Sequence, residues 1–99
     1  DFGEYLPTDV RLASGEDPML AHNRWPVLWA EVNDRALRSR GKRGDALFFM
    51  RAGFSGVQAH CPLLWAGDQS VDFSRHDGIN TVITAALSAG LVGNAYSHS

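Results

Sequence analysis

Five unbroken apolar residues, Ala46-Leu47-Phe48-Phe49-Met50, stand between Gly44 and Arg51. A short run without polar alternation is the pattern of a parallel strand covered on both faces. Such a strand needs helices to cover it, and the flanking sequence supplies them. Upstream, Trp25, Leu28, Trp29, Val32 and Ala36 recur at helical spacing, with Glu31, Asp34, Arg35 and Arg38 on the other face. On this reading Trp25 and Trp29 belong to the core. The helix has two possible openings: Asp17-Pro18 with a kink at Pro26, or Asn23 with Pro26 in the first turn. The expectation is a break near Pro26. Arg38, Arg40, Lys42 and Arg43 cluster where the helix ends before Gly41 and Gly44, and are read as a solvated cap that complements the helix dipole.

Downstream, Ser74-Arg75-His76-Asp77 has the character of an N-terminal cap. Ile79, Val82, Ile83, Ala86 and Leu87 then mark one face of a second helix ending near Gly90, and residues 91–96 read as the next strand. Helix, strand, long loop, helix, strand is an α/β order, in which right-handed crossovers place the helices outside a parallel sheet. The segment from Arg51 to Phe73 far exceeds the usual short βα connection, and a loop of that length commonly carries function. In α/β barrels such loops build the active site at the C-terminal ends of the strands. His98 would sit at that end, and Asp1 too if it closes a strand.

A net charge of -2 and a hydrophobic content of 44% exclude neither fold nor enzyme, but give no reason to expect nucleic acid or a membrane surface as partner. No apolar run approaches the roughly 20 residues that span a bilayer. Cys61 is the one cysteine, which excludes an internal disulfide and fits a reducing, cytoplasmic compartment. The chain opens on Asp1 without an initiator Met, so upstream sequence is expected. Residues 1–99 read as one continuous part of a single domain, with no repeat or linker.

Several familiar chemistries fail on inspection. Asp1-Phe2-Gly3 has the letters of the kinase metal loop, yet no glycine-rich phosphate loop or catalytic-loop motif accompanies it. Gly53-Phe54-Ser55-Gly56 misses the spacing of a nucleophile elbow. His60-Cys61 lacks a second ligand pair at zinc spacing. No metal and no cofactor are expected.

Three segments, taken in order and spacing, are more telling: Asp1-Phe2-Gly3-Glu4 with Pro7-Thr8-Asp9, then Phe49-Met50-Arg51-Ala52-Gly53, then Trp65-Ala66-Gly67-Asp68-Gln69. Together, and with His22-Asn23, they resemble glycoside hydrolase family 31 over essentially the whole chain, nearest its sulfoquinovosidase-like branch and the bacterial α-glucosidases. The resemblance implies a partial (β/α)8 TIM barrel, from about the end of strand 4 through strand 6. It implies a retaining α-glycosidase acting on a carbohydrate, an α-sulfoquinovoside first and an α-glucoside or α-xyloside second. In that match Asp1 takes the nucleophile's place and Asp68 the proton donor's.

The chemistry of glycoside cleavage asks for such a pair: an ionised carboxylate to attack the anomeric carbon and a protonated one to release the leaving oxygen, about 5 to 5.5 Å apart in retaining enzymes. A nearby cation, for which Arg51 is the candidate, would keep Asp1 ionised, and burial beside Trp65 would keep Asp68 protonated. Arg51, Trp65 and His98 are the expected sugar ligands, Trp65 as an aromatic wall and His98 as a hydroxyl partner, and Glu4 has a supporting role. Taken singly, Asp and Arg at loop starts are commonly caps or surface ion pairs; it is the combined pattern that favours catalysis. The rival is a non-catalytic carbohydrate-binding homologue or inactive fragment, against which the presence of both aspartates counts. By itself the chain is expected to be inactive, because two or three βα units cannot close a barrel.

Overall fold

A computed structural model describes residues 3–99; Asp1 and Phe2 lie outside the described residues. The elements in chain order are helix α1 (Pro18–Ser39), a 3-10 turn (Val57–Ala59), strand β1 (Leu63–Trp65), helix α2 (Ile79–Leu91) and strand β2 (Tyr96–His98).

Asp17 opens α1. Its side chain accepts the Met19 N–H at 2.9 Å, and Pro18 takes the first helical position, where its missing N–H costs nothing. The helix then runs unbroken through Pro26, contrary to the expected break. Proline removes one helix hydrogen bond, but Pro26 is buried, and packing along that side holds both halves in one helix.

The buried line of α1 also differs from expectation. It comprises Ala21, Pro26, Ala30 and Asp34, while Trp25 is half-buried and Trp29 and Val32 are exposed. Small residues allow the helix backbone to approach the layer beneath it, where Ala30 and Val27 meet Met50, Val57, Cys61, Phe48 and Leu64. Large apolar side chains dominate a periodicity count, so the pattern pointed one face away.

Asp34, read as solvent-facing, is 4% exposed. Arg38 and Arg43 donate to its carboxylate from Nε at 3.0 and 2.9 Å, and His60 donates from Nδ1 at 3.3 Å. Two members of the supposed solvated basic run thus turn back to a buried acid, tying the end of α1 to the segment after the 3-10 turn. Burial alone would raise the Asp34 pKa. Hydrogen bonds from Arg38 and His60, with the charges of Arg38 and Arg43, outweigh it and hold the carboxyl below its ordinary 3.8. Because the folded pKa is the lower one, the ionised carboxylate contributes stability above pH 3.8 that is lost as pH falls through the folded value. Asp34→Asn should therefore lower the thermal midpoint at neutral pH, with the gap to the parent narrowing in acid below that point. A gap independent of pH, followed by circular dichroism, would contradict this role.

The strands also differ from expectation. The 46–50 run is not a full strand; Met50 alone forms a parallel bridge to Leu64, its N–H reaching Leu63 O at 3.3 Å and its carbonyl accepting from Trp65 N at 2.9 Å. The segment from Arg51 to Phe73 is not one loop, since it contains β1. β1 pairs in parallel with β2, Leu63 with Tyr96, Leu64 with Ser97 and Trp65 with His98. β2 lies a few residues later than expected, because α2 continues through Leu91. The sheet order is Met50, β1, β2: three parallel segments where the sequence showed two. The link from Met50 to Leu63 carries only a 3-10 turn, close to the shortest crossover that parallel strands allow, and it gave no helical period to read.

Alternation sorts the two faces. Phe48, Met50 and Leu64 pack toward α1, so Phe49 and Trp65, one residue away in each segment, take the opposite face. Leu47 and Phe49 are exposed there, which is why coverage on both faces fails in this chain. α2 begins not at a Ser74 cap but after Gly78, which makes no side-chain cap bond. Of the residues that mark its apolar face, Ile79, Ile83 and Leu87 are exposed and Val82 and Ala86 are half-buried, as are Thr81 and Ala89.

Candidate functional site

Arg51 follows Met50, Trp65 ends β1 and His98 ends β2, so three parallel segments deliver their last side chains to one edge of the sheet. The Trp65 and His98 rings, side by side in register, stack at 6.2 Å and 20°. Phe49 stands edge-on to both, at 6.0 Å from Trp65 and 5.2 Å from His98. The Arg51 guanidinium lies 5.6 Å from the Trp65 ring centroid, within cation–π range. On its other side Arg51 Nε is 3.8 Å from Glu4 Oε1, and the Glu4 side chain is only 10% exposed. Glu4, Arg51, Trp65 and His98 are thus brought together as the sequence indicated. Phe49 is an addition: read as strand core, it belongs to the aromatic group, and alternation against Phe48 was the available signal.

A cleft of about 490 Å³ opens beside Arg51 and Glu4, lined also by Tyr5, His22, Asn23 and Phe54. A second, of about 470 Å³, opens beside Trp65 and is lined by Asp68, Gln69, Val71, Phe73 and Ser99. The Arg51–Trp65 contact stands between them. Gly67 makes the turn from β1 into the second cleft; its φ of +87° is a left-handed conformation that favours glycine. Asp68 emerges from that turn exposed, not buried beside Trp65 as expected. Gln69 folds back on Ala66 O and Asp68 O at 3.4 and 3.2 Å, and its own carbonyl accepts from Thr81 Oγ1 at 3.3 Å, anchoring the turn to the start of α2.

Beyond Gln69 the loop is held by Asp72. Backbone and hydroxyl hydrogen bonds from Ser74 lower the Asp72 pKa against a smaller effect of burial, and the Asp72 carbonyl accepts from Ile79 N at 3.1 Å. Gly78 is buried in this knot, where a Cβ would come within 2.5 Å of Ser74 N and 2.6 Å of Asp72 Oδ1. Only a residue without a side chain fits that approach.

Cys61 is fully buried beneath the sheet. Its thiol donates to Leu63 O at 3.1 Å, and burial, opposed by hydrogen bonds from the backbone, raises its pKa. This is the environment of a structural thiol, not a nucleophile. Among the described residues, no three His, Cys, Asp or Glu side chains gather as a metal site would need.

Residues 4–99 match the family described as glycosyl hydrolases family 31 TIM-barrel domain. The chain belongs to glycoside hydrolase family 31. Over all 99 residues it is 72% identical to a sulfoquinovosidase of Agrobacterium fabrum and 52% identical to a sulfoquinovosidase of Escherichia coli, covering 15% of each of those proteins. The structure of a family 31 sulfoquinovosidase from E. rectale, in complex with an aza-sugar inhibitor, matches 99% of this chain with a TM-score of 0.91 and 60% identity, over 15% of that chain. This family 31 chain therefore spans about 15% of the length of the relatives it matches. Its parallel segments are part of a TIM-barrel domain, and the gathering of side chains at their ends lies where such barrels keep their active sites. Asp1, the expected nucleophile, is outside the described residues.

Proposed function

We propose that residues 1–99 are part of the catalytic barrel of a larger retaining α-glycosidase that cleaves α-sulfoquinovosides, and that Met50, β1 and β2 are consecutive strands of that barrel. The observation that carries this reading is the convergence of Glu4, Arg51, Trp65 and His98 at one sheet edge, in a chain of this similarity to sulfoquinovosidases. Asp1 is the nucleophile that forms the glycosyl intermediate, and Asp68 is the acid that protonates the leaving oxygen and then, as base, activates water. Trp65 and His98 form a wall for the sugar ring. Arg51 binds a sugar hydroxyl, and Glu4 holds Arg51 in place.

Arg51 faces Glu4 and Trp65, an arrangement suited to a neutral hydroxyl better than to a sulfonate, whose charge Glu4 would oppose. By the family resemblance, the cations that read a C6 sulfonate lie mainly outside residues 1–99. The proposal extends to a cytoplasmic location, for which the lone thiol of Cys61 is the supporting feature.

Comparing kcat/KM for aryl α-sulfoquinovoside and aryl α-glucoside on the full-length enzyme tests the substrate. A site built around a buried anion should reject the uncharged sugar by about 10⁴-fold, since its polar groups would be left unpaired. Preference for the glucoside would overturn the sulfoquinovoside assignment and leave the roles of Asp1 and Asp68 standing.

A further inference from the structure

The segment that carries Glu4 has no regular secondary structure: among the described residues, no backbone hydrogen bond links the main chain of residues 3–6 to another main-chain group. Its grip comes from side chains of α1. Trp25 donates its indole N–H to Gly3 O at 3.0 Å, and His22 donates from Nδ1 to Leu6 O. Both bonds are partly buried. The two donors are one helical turn apart and so lie on one face of α1, and the carbonyls they hold bracket Glu4. Tyr5 meets the His22 ring edge-on at 5.7 Å, and the Trp29 indole lies so close over Gly3 that a Cβ there would collide with it. Trp25 and Trp29 thus face residue 3 instead of filling the core.

We propose that His22 and Trp25 are positioning residues: a two-point clamp on the carbonyls of Gly3 and Leu6 that fixes Glu4 against Arg51. The clamp rests on the reading of this site as a glycosidase centre. Each side chain acts through the backbone it holds on either side of Glu4. An indole N–H is a donor only, and a phenyl ring in its place keeps most of the shape while releasing Gly3. Asparagine at position 22 keeps an N–H donor near the place of Nδ1, whereas phenylalanine does not.

The experiment uses the full-length enzyme with Trp25→Phe, His22→Phe and His22→Asn, followed by crystal structures of the variants and by steady-state kinetics on an aryl α-glycoside. Trp25→Phe and His22→Phe should move Glu4 from its place 3.8 Å from Arg51 Nε and lower kcat by about 10- to 100-fold, as displacement of a catalytic group by about an ångström does, with KM and thermal midpoint held. His22→Asn should recover most of the loss. Glu4 unmoved in both phenylalanine variants would overturn the clamp. A displaced Glu4 with unchanged kcat, or a kcat loss that only follows a fall in thermal midpoint, would overturn the positioning role. A parent enzyme without α-glycosidase activity would overturn the reading of the site, and the positioning role with it, whatever the structures show.

Discussion

Removing the carboxyl of Asp1, as Asp1→Ala in the full-length enzyme, is expected to abolish turnover on every glycoside, by about 10⁴-fold or more. Under the proposed mechanism the covalent step has no other route: without the carboxylate, the oxocarbenium-like transition state loses its nucleophile. Losses of that order are usual when a nucleophile is deleted from a site whose binding groups stay intact. Because Glu4, Arg51, Trp65 and His98 would remain in place, KM for the residual reaction should change little. A variant that kept more than about one per cent of its activity on any glycoside would show that another group attacks.

Asp68→Ala is expected to give a different signature. Its proton is needed in proportion to the basicity of the leaving group, so the variant should lose about 10² to 10⁴-fold on alkyl glycosides and far less on glycosides of acidic phenols. In residues 3–99 Asp68 is displayed, exposed, on the turn at Gly67 beside Trp65 and Ser99. Equal losses on activated and unactivated substrates would remove the general-acid assignment.

How much of this was legible in the sequence follows from what each element depends on. Asp17-Pro18 opening a helix is local chemistry, and both residues act as written. Glu4, Arg51, Trp65 and His98 were picked out mainly by the motifs that carry the family resemblance; that Trp65 and His98 arrive together as the ends of paired strands was not legible. β1 was missed because three residues between a proline and a glycine turn give no period, and a partner is what makes them a strand. Asp34 was misplaced because an acid on a helix reads as solvated until three donors from other turns and segments are seen to converge on it. Trp25 and Trp29 were assigned to the core by their size and spacing, yet both turn to a glycine more than twenty residues away. No local pattern encodes that contact.

The exposed stripe of Ile79, Ile83, Leu87 and Leu91 has the same origin. Its four-residue spacing describes a face prepared for packing, and under the proposal advanced above the remainder of the barrel covers it. The apolar pattern was therefore read correctly as a face.

The central claim, that this chain carries the two carboxylates of a retaining α-glycosidase, is tested most directly by trapping the intermediate. A glycoside with fluorine at C2 and a good leaving group slows release of the glycosyl-enzyme more than its formation, so the adduct accumulates and can be mapped by mass spectrometry of proteolytic peptides. One sugar per enzyme, esterified to Asp1, is the expected result. A sugar mapped to any other residue, or steady turnover with no adduct and inversion at the anomeric carbon, would contradict it.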